Sequence, residues 1–346
     1  MPSAIDYGLL VMYAEDLYSA QPGTLAPTRD PHTAPVGWTI VGYLTAQDSI
    51  IPQPGDIDRT LGIDPTKRVF YGFVARNDAA PTTYVAAIRG TEEFVEWVID
   101  AEFLLIPHPR HQGCRVEQGF WGIYQTMSLA DPTNGVTTNQ NAAEGVAALV
   151  GAGSLVVAGH SLGSAIATYF TDDLAERIGA QVSACLFASP QTGDAAWVAL
   201  FDAQVRSYQL FNYILDLVPR VPSVDYATLA RATVIQPSTA QAKIALDLLC
   251  NHHVLCYCAM IDYNATMAAA PLSSATGVLG KACVLGPADA MPDAAEGLAT
   301  VIDAFGLGDA RAVALLKALH PDATIKLASP RSPPARLAAA SPPPAT

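Results

Sequence analysis

The sequence predicts an α/β protein with a mostly parallel central sheet and helices on both faces, and three observations predict it. First, apolar runs of strand length recur along the chain: Ser154 to Ala158, Val182 to Phe187 and Ser207 to Phe211. Strands buried on both faces read as near-continuous apolar runs. Second, helical patterns stand between and beside them, Ala142 to Val150 and Leu162 to Ile178, and alternation of this kind implies parallel strands with crossover helices. Third, 51% of residues are hydrophobic and only 15% charged, so most of the chain must be packed. Further elements are read in order. Ile5, Leu9 and Met12 give an N-terminal helix one apolar face. Arg68 to Arg76 and Thr83 to Arg89 read as two strands joined by the turn residues Asn77 to Pro81. A further helix is expected from Gly119 to Leu129. In such sheets reactive groups gather beyond the carboxyl ends of the strands, where Ser161, Ser189 and Asp216 should emerge.

Residues 1–270 are expected to form the α/β domain. Asn264 to Gly286 reads mainly as loop with a short helix. Residues 271–328 are expected to form a helical extension. Residues 329–346 repeat proline in an Ala/Ser background and read as a flexible tail. The net charge of −13 opposes binding to nucleic acid or to an anionic lipid surface. No run of eighteen or more apolar residues marks a membrane span. The first twenty residues contain Asp6, Glu15 and Asp16 and no Lys or Arg, unlike a signal peptide. The expected location is therefore cytoplasmic, or secreted by a route not visible in the sequence.

The chemistry centres on Gly159-His160-Ser161-Leu162-Gly163. A strand pattern before it and a helix after it turn a G-x-S-x-G match into a sharp turn that lifts a serine hydroxyl clear of the sheet. A free hydroxyl is a poor nucleophile at neutral pH, so a base and an orienting acid are required. There are seven histidines. His160 sits within the turn and is too constrained to face the hydroxyl beside it. His32, His108, His111 and His320 lie in Pro-rich or terminal segments, which leaves His252 and His253. Asp216 follows a strand pattern and precedes the Pro-fixed turn Val218 to Pro222, so its carboxylate should project at a strand end. Cys250, Cys256, Cys258, His252 and His253 crowd together, but C-x-H-H and C-x-C lack zinc spacing. These three cysteines read as buried small hydrophobes. Neither a metal nor a cofactor is expected, because side chains supply the whole chemistry.

With these residues in view, the stretch from about Tyr71 to Tyr263 resembles the class 3 lipases, α/β-hydrolases of the fungal-lipase kind. Ala87-Ile88-Arg89-Gly90-Thr91 resembles their F-R-G-[ST] segment. Val116 to Phe120 resembles V-H-x-G-F, and Leu186 to Asp194 resembles T-F-G-x-P-x-x-G-[ND]. Asp216 to Pro222 matches D-x-V-P-x-x-P. His252 to Tyr257 matches H-x-[LV]-x-x-Y, a register that selects His252 over His253. Ser164 replaces a second glycine after the serine, and Glu117 replaces a histidine.

The resemblance implies an α/β-hydrolase fold and a serine ester hydrolase. Ser161 is the implied nucleophile, His252 the base and Asp216 the acid that orients it. Thr91 and Leu162 are the implied oxyanion donors. Glu92 to Asp100 reads as a short amphipathic helix with Phe94, Trp97 and Val98 on one face, at the place of the family's lid. If it is a lid, Trp97→Ala should impair hydrolysis of emulsified esters more than that of monomeric esters; equal impairment would refute it. The implied substrates are acylglycerols. Phospholipase A1 and feruloyl esterase activities use the same triad and stand as alternatives. A non-catalytic binding protein on this fold would lack a triad residue, and none is lost. A serine peptidase is disfavoured by the motifs around Ser161.

Overall fold

The computed structural model describes residues 2–29, 35–47, 68–91 and 103–288. The lid candidate with Phe94, Trp97 and Val98 lies outside these residues. So do the 329–346 tail and all of the 271–328 extension beyond residue 288. Apart from Leu246–Leu248, the described residues belong to one compact unit.

The chain begins with α1 (Ala4–Ala20), started by a capping box in which Ser3 and Asp6 each satisfy the other's backbone N–H. The strands β1 (Trp38–Gln47), β2 (Arg68–Asn77) and β3 (Thr83–Ile88) follow, then a hairpin of β4 (Leu105–Pro107) and β5 (Arg115–Glu117). Helix α2 (Gln118–Gln125) leads to β6 (Ser128–Ala130) and β7 (Thr137–Asn139). Next come α3 (Ala142–Val150), β8 (Ser154–His160), α4 (Leu162–Ile178), β9 (Val182–Phe187), α5 (Ala195–Gln204), β10 (Tyr208–Tyr213) and β11 (Ala232–Ile235). The last described part holds β12 (Ala242–Ile244), α6 (Leu248–His252), α7 (Val254–Ile261), α8 (Tyr263–Ala269), α9 (Ala275–Cys283) and β13 (Val284–Pro287).

Nine strands form one sheet in the order β11-β10-β9-β8-β3-β2-β1-β6-β7. The half from β3 to β11 is parallel, and the half from β3 to β7 is antiparallel. This is a mixed sheet, less uniformly parallel than the apolar runs suggest. Of the antiparallel strands, β2 and β3 stand where the sequence predicts them, whereas β6 and β7, three residues each, are too short to carry a period. The helix expected over Gly119 to Leu129 stops at Gln125, and Ser128–Ala130 pairs with β1 instead. Asn264 to Gly286 is mainly helical rather than loop, with α8 and α9 each started by a capping side chain, Asp262 and Ser274.

Helix α1 has no single apolar face. Leu10, Val11, Met12, Tyr13, Ala14 and Leu17 are all buried, because α1 packs against the sheet on one side and α7 and α9 on the other. Asp16 Oδ1 accepts the Thr276 backbone N–H at 2.9 Å and so fixes α1 to α9. This arrangement carries Glu15 into the interior.

Of the cysteines, Cys250 forms a disulfide with Cys283 across 33 residues, while Cys256 and Cys258 are buried and free. Cys250 is therefore a crosslink between α6 and α9 rather than a small hydrophobe. Closing a loop of that size restricts the unfolded chain by about 3–4 kcal/mol. Replacing both cysteines by alanine is expected to lower the denaturation midpoint accordingly in a urea titration. An unchanged midpoint would contradict this.

Candidate active site

Three segments from distant parts of the sequence converge at the carboxyl edge of the parallel strands. The first is the turn between β8 and α4. Ser161 occupies φ 58° and ψ −129°, a backbone conformation that non-glycine residues adopt only under constraint. Packing around the turn enforces it. A Cβ on Gly159 would lie 2.5 Å from the Gly163 carbonyl oxygen, and one on Gly163 would lie 2.4 Å from the carbonyl oxygens of Ile88 and Arg89. The glycines thus allow α4 to start against the ends of β8 and β3. Ser164 adds a polar lock: its hydroxyl lies 2.6 Å from the Gly159 carbonyl oxygen and 2.8 Å from that of Phe187, and it accepts the Phe187 N–H. The departure from the glycine pattern at this position therefore ties the turn to β9.

The second segment follows β10. Asp216 is buried; its Oδ1 accepts the Val218 N–H at 3.0 Å, which leaves Oδ2 facing the third segment. That segment is the end of α6, where His252 Nδ1 lies 2.8 Å from Asp216 Oδ2 and Nε2 lies 2.7 Å from Ser161 Oγ. A carboxylate oxygen only accepts, so Nδ1 carries the proton and the bare Nε2 accepts the serine hydroxyl. Tyr257, one turn into α7, donates its hydroxyl to Asp216 Oδ2 at 2.8 Å and accepts the Tyr213 N–H at 2.8 Å. Tyr257→Phe leaves that N–H without its partner, and such a loss costs roughly 1–3 kcal/mol. The variant should melt earlier and turn over more slowly, which calorimetry and initial rates would check.

The neighbouring residues are placed elsewhere. His253 caps α7, its Nδ1 accepting the Leu255 N–H, and a Cβ on Gly280 of α9 would meet its ring at 2.7 Å. Ser189 turns its hydroxyl to the Pro190 carbonyl and takes no part. Leu162 is the first residue of α4. Gly90 packs directly on the turn, since a Cβ there would come within 3.1 Å of Ser161 Cβ, and this puts Thr91 in the next position along the chain. The Arg89 guanidinium holds this stretch by donating to the carbonyls of Phe70 and Gly90, and it lies over the Tyr18 ring. Glu117, in the place of the family's histidine, is buried and caps α2 by accepting the Phe120 N–H. Burial raises its carboxyl pKa.

One contact set escaped the sequence reading. His160 faces neither water nor Ser161 Oγ. Its Nδ1 lies 3.0 Å from Glu15 Oε1, and its Nε2 lies 2.6 Å from the backbone carbonyl oxygen of His252. A separation of 145 residues leaves no local pattern that could reveal the Glu15 pairing.

Among the described residues, His108, His111 and Asp172 have the donor types and proximity for a metal ion. Of their donors, His111 Nε2 faces Asp172 Oδ2 at 3.3 Å and Glu176 Oε1 at 3.1 Å, while His108 Nε2 and Asp172 Oδ1 have no hydrogen-bond partner. His108 Nδ1 accepts the N–H groups of Arg110 and His111, which places the ring proton on Nε2, and the Arg110 guanidinium pairs with Asp172.

A serine within hydrogen-bond reach of an imidazole, itself oriented by a buried carboxylate beyond the carboxyl ends of parallel strands, is the arrangement that serine hydrolases use. Comparison points the same way: residues 85–226 match the family model Lipase (class 3). A secreted mono- and diacylglycerol lipase A of Penicillium cyclopium is 30% identical over 154 residues, 44% of this chain and 46% of that protein. Phospholipase A1-II 3 of Oryza sativa subsp. indica is 26% identical over 200 residues, 50% of this chain and 48% of that protein. The chain thus spans about half the length of the curated relatives it matches. Among solved structures, a native lipase–propeptide complex of Rhizomucor miehei is similar over 67% of each chain, with 18% identity and a TM-score of 0.47.

Proposed function

We propose that this protein hydrolyses carboxylic esters of acylglycerols through an acyl-enzyme on Ser161. The supporting observation is the hydrogen-bonded array Ser161–His252–Asp216. In this reading His252 takes the Ser161 proton as Oγ attacks the ester carbonyl. It then returns the proton to the leaving alcohol, while Asp216 steadies the imidazolium. Water enters by the same route in reverse, and the free acid leaves. The Leu162 N–H at the start of α4, and Thr91 beside Gly90, are the proposed oxyanion donors; one such donor contributes roughly 10²–10³ in kcat. Residues 92–100 are the proposed lid, on their sequence pattern.

Acylglycerols are favoured by the Penicillium relative and phospholipids by the rice relative, so phospholipase A1 activity is the second reading. The Cys250–Cys283 disulfide and the secreted relative favour an oxidising compartment for the working enzyme. No helix among the described residues is long and apolar enough to cross a membrane. The test is a panel of p-nitrophenyl esters of increasing acyl length, with diacylglycerol and phosphatidylcholine emulsions alongside. Ester hydrolysis with diacylglycerol preferred is expected. Preference for phosphatidylcholine would select the second reading, and no hydrolysis of any ester would refute both.

A further inference from the structure

Two carboxylate–imidazole pairs meet at this site, one buried and one part-buried, and ester hydrolysis as proposed uses only the first. The second, Glu15–His160, joins three functional segments. His160 immediately precedes Ser161 in the turn. Its Nε2 meets the main-chain carbonyl of His252, and its ring lies against the His252 ring with centroids 4.7 Å apart. Glu15 Oε1 accepts the Gly90 N–H at 3.3 Å as well as facing His160 Nδ1, so the segment leading to Thr91 shares the same anchor.

The protonation state follows from the partners. A carbonyl oxygen only accepts, so Nε2 carries a proton. An ionised Glu15 also only accepts, so Nδ1 carries one too, and the ring is an imidazolium. Burial opposes that charge, but the adjacent Glu15 carboxylate outweighs it and raises the His160 pKa; burial alone would raise the Glu15 pKa, but His160, with His253 and the Gly90 N–H, lowers it. The other titratable groups facing the pair are His252, His253 and Asp216, with Asp16 and Cys258 beside Glu15. A charged donor makes a shorter and stronger bond to a carbonyl than a neutral one.

We propose that Glu15 and His160 are positioning residues. The pair holds the main chain of His252 at a fixed distance from Ser161 and holds Gly90, and with it Thr91, to the same point. The base is thereby referenced to the nucleophile twice: through its own Nε2 and through its backbone carbonyl. Helix α6 has only five residues, so its hydrogen-bond ladder alone is a weak mount for a reacting side chain. The proposal rests on the acyl-enzyme reading for its kinetic consequence but not for its structural one.

The test uses the full chain with Glu15→Gln, His160→Gln, the double variant and Ser161→Ala, assayed on p-nitrophenyl butyrate with melting curves for each. Small misplacements of catalytic groups cost up to roughly 100-fold, so each single variant is expected to lose roughly 10- to 100-fold in kcat while KM stays within about twofold. The double variant should be no slower than the slower single, because the two residues act as one unit. Imidazole nitrogen NMR supplies a second readout. In the wild type His160 should stay doubly protonated above about pH 6.5, the ordinary imidazole value, and in Glu15→Gln it should lose a proton at lower pH than in the wild type. A kcat within about twofold of wild type in Glu15→Gln, or a loss no larger than the loss of folded protein, would overturn the proposal. So would an ordinary titration of His160 in the wild type. Full activity in Ser161→Ala would instead refute the acyl-enzyme reading, and the titration would then decide the pair on its own.

Discussion

His252→Ala is expected to lower kcat for ester hydrolysis by roughly 10⁴- to 10⁶-fold, the range found when a member of a serine triad is removed. His253→Ala should change it by less than about tenfold, on the ground that its loss touches a helix cap worth about 1 kcal/mol rather than the reacting atoms. The two histidines are adjacent in sequence, so the contrast is a sharp test of which imidazole does the chemistry. His252 stands 2.7 Å from Ser161 Oγ, and His253 spends its Nδ1 on the Leu255 N–H. Initial rates on a soluble ester, with circular dichroism to show that both variants fold, decide the matter. Greater loss in His253→Ala than in His252→Ala would overturn the assignment.

Gly163→Ala is the second large effect. Its Cβ would lie 2.4 Å from two carbonyl oxygens, those of Ile88 and Arg89, and neither belongs to a flexible side chain. The start of α4 and the end of β3 would have to separate, which pulls the proposed oxyanion segment at Thr91 away from Ser161. Overpacking usually costs roughly 1–3 kcal/mol, and a backbone clash on two sides belongs at or above the top of that range. The variant should unfold at lower urea and lose most of its kcat even where it remains folded. Wild-type stability with wild-type kcat would show that the turn relaxes freely, contrary to the packing described.

The strand–turn–helix from Ser154 to Ile178 was legible because its signals are local: an apolar run, two glycines around a serine, then a helical period. The structure gives β8 and α4 over that same stretch. The H-x-[LV]-x-x-Y register also has physical content. It sets Tyr257 five residues beyond His252, on the next helix, where its hydroxyl and the His252 ring share Asp216 Oδ2. Non-local pairings were not legible. The Cys250–Cys283 disulfide links two helices, one of them inside a stretch rich in Ala, Ser and Gly that reads as loop. The Glu15–His160 pair depends on α1 being packed between the sheet and the helices α7 and α9, whereas Ile5, Leu9 and Met12 suggest a helix with one apolar face. Leu129 looked like the last turn of a helix because an apolar residue in a three-residue strand carries no period of its own.

The central claim is that an acyl group passes through Ser161 Oγ. The most direct measurement is to mix the enzyme with a p-nitrophenyl ester, quench with acid within the first turnover, and map the modified peptide by mass spectrometry. The expected result is one acyl group per protein on the peptide containing Ser161, accompanied by a burst of p-nitrophenol and absent from Ser161→Ala. Acylation at another residue, or undiminished turnover by Ser161→Ala, would contradict it.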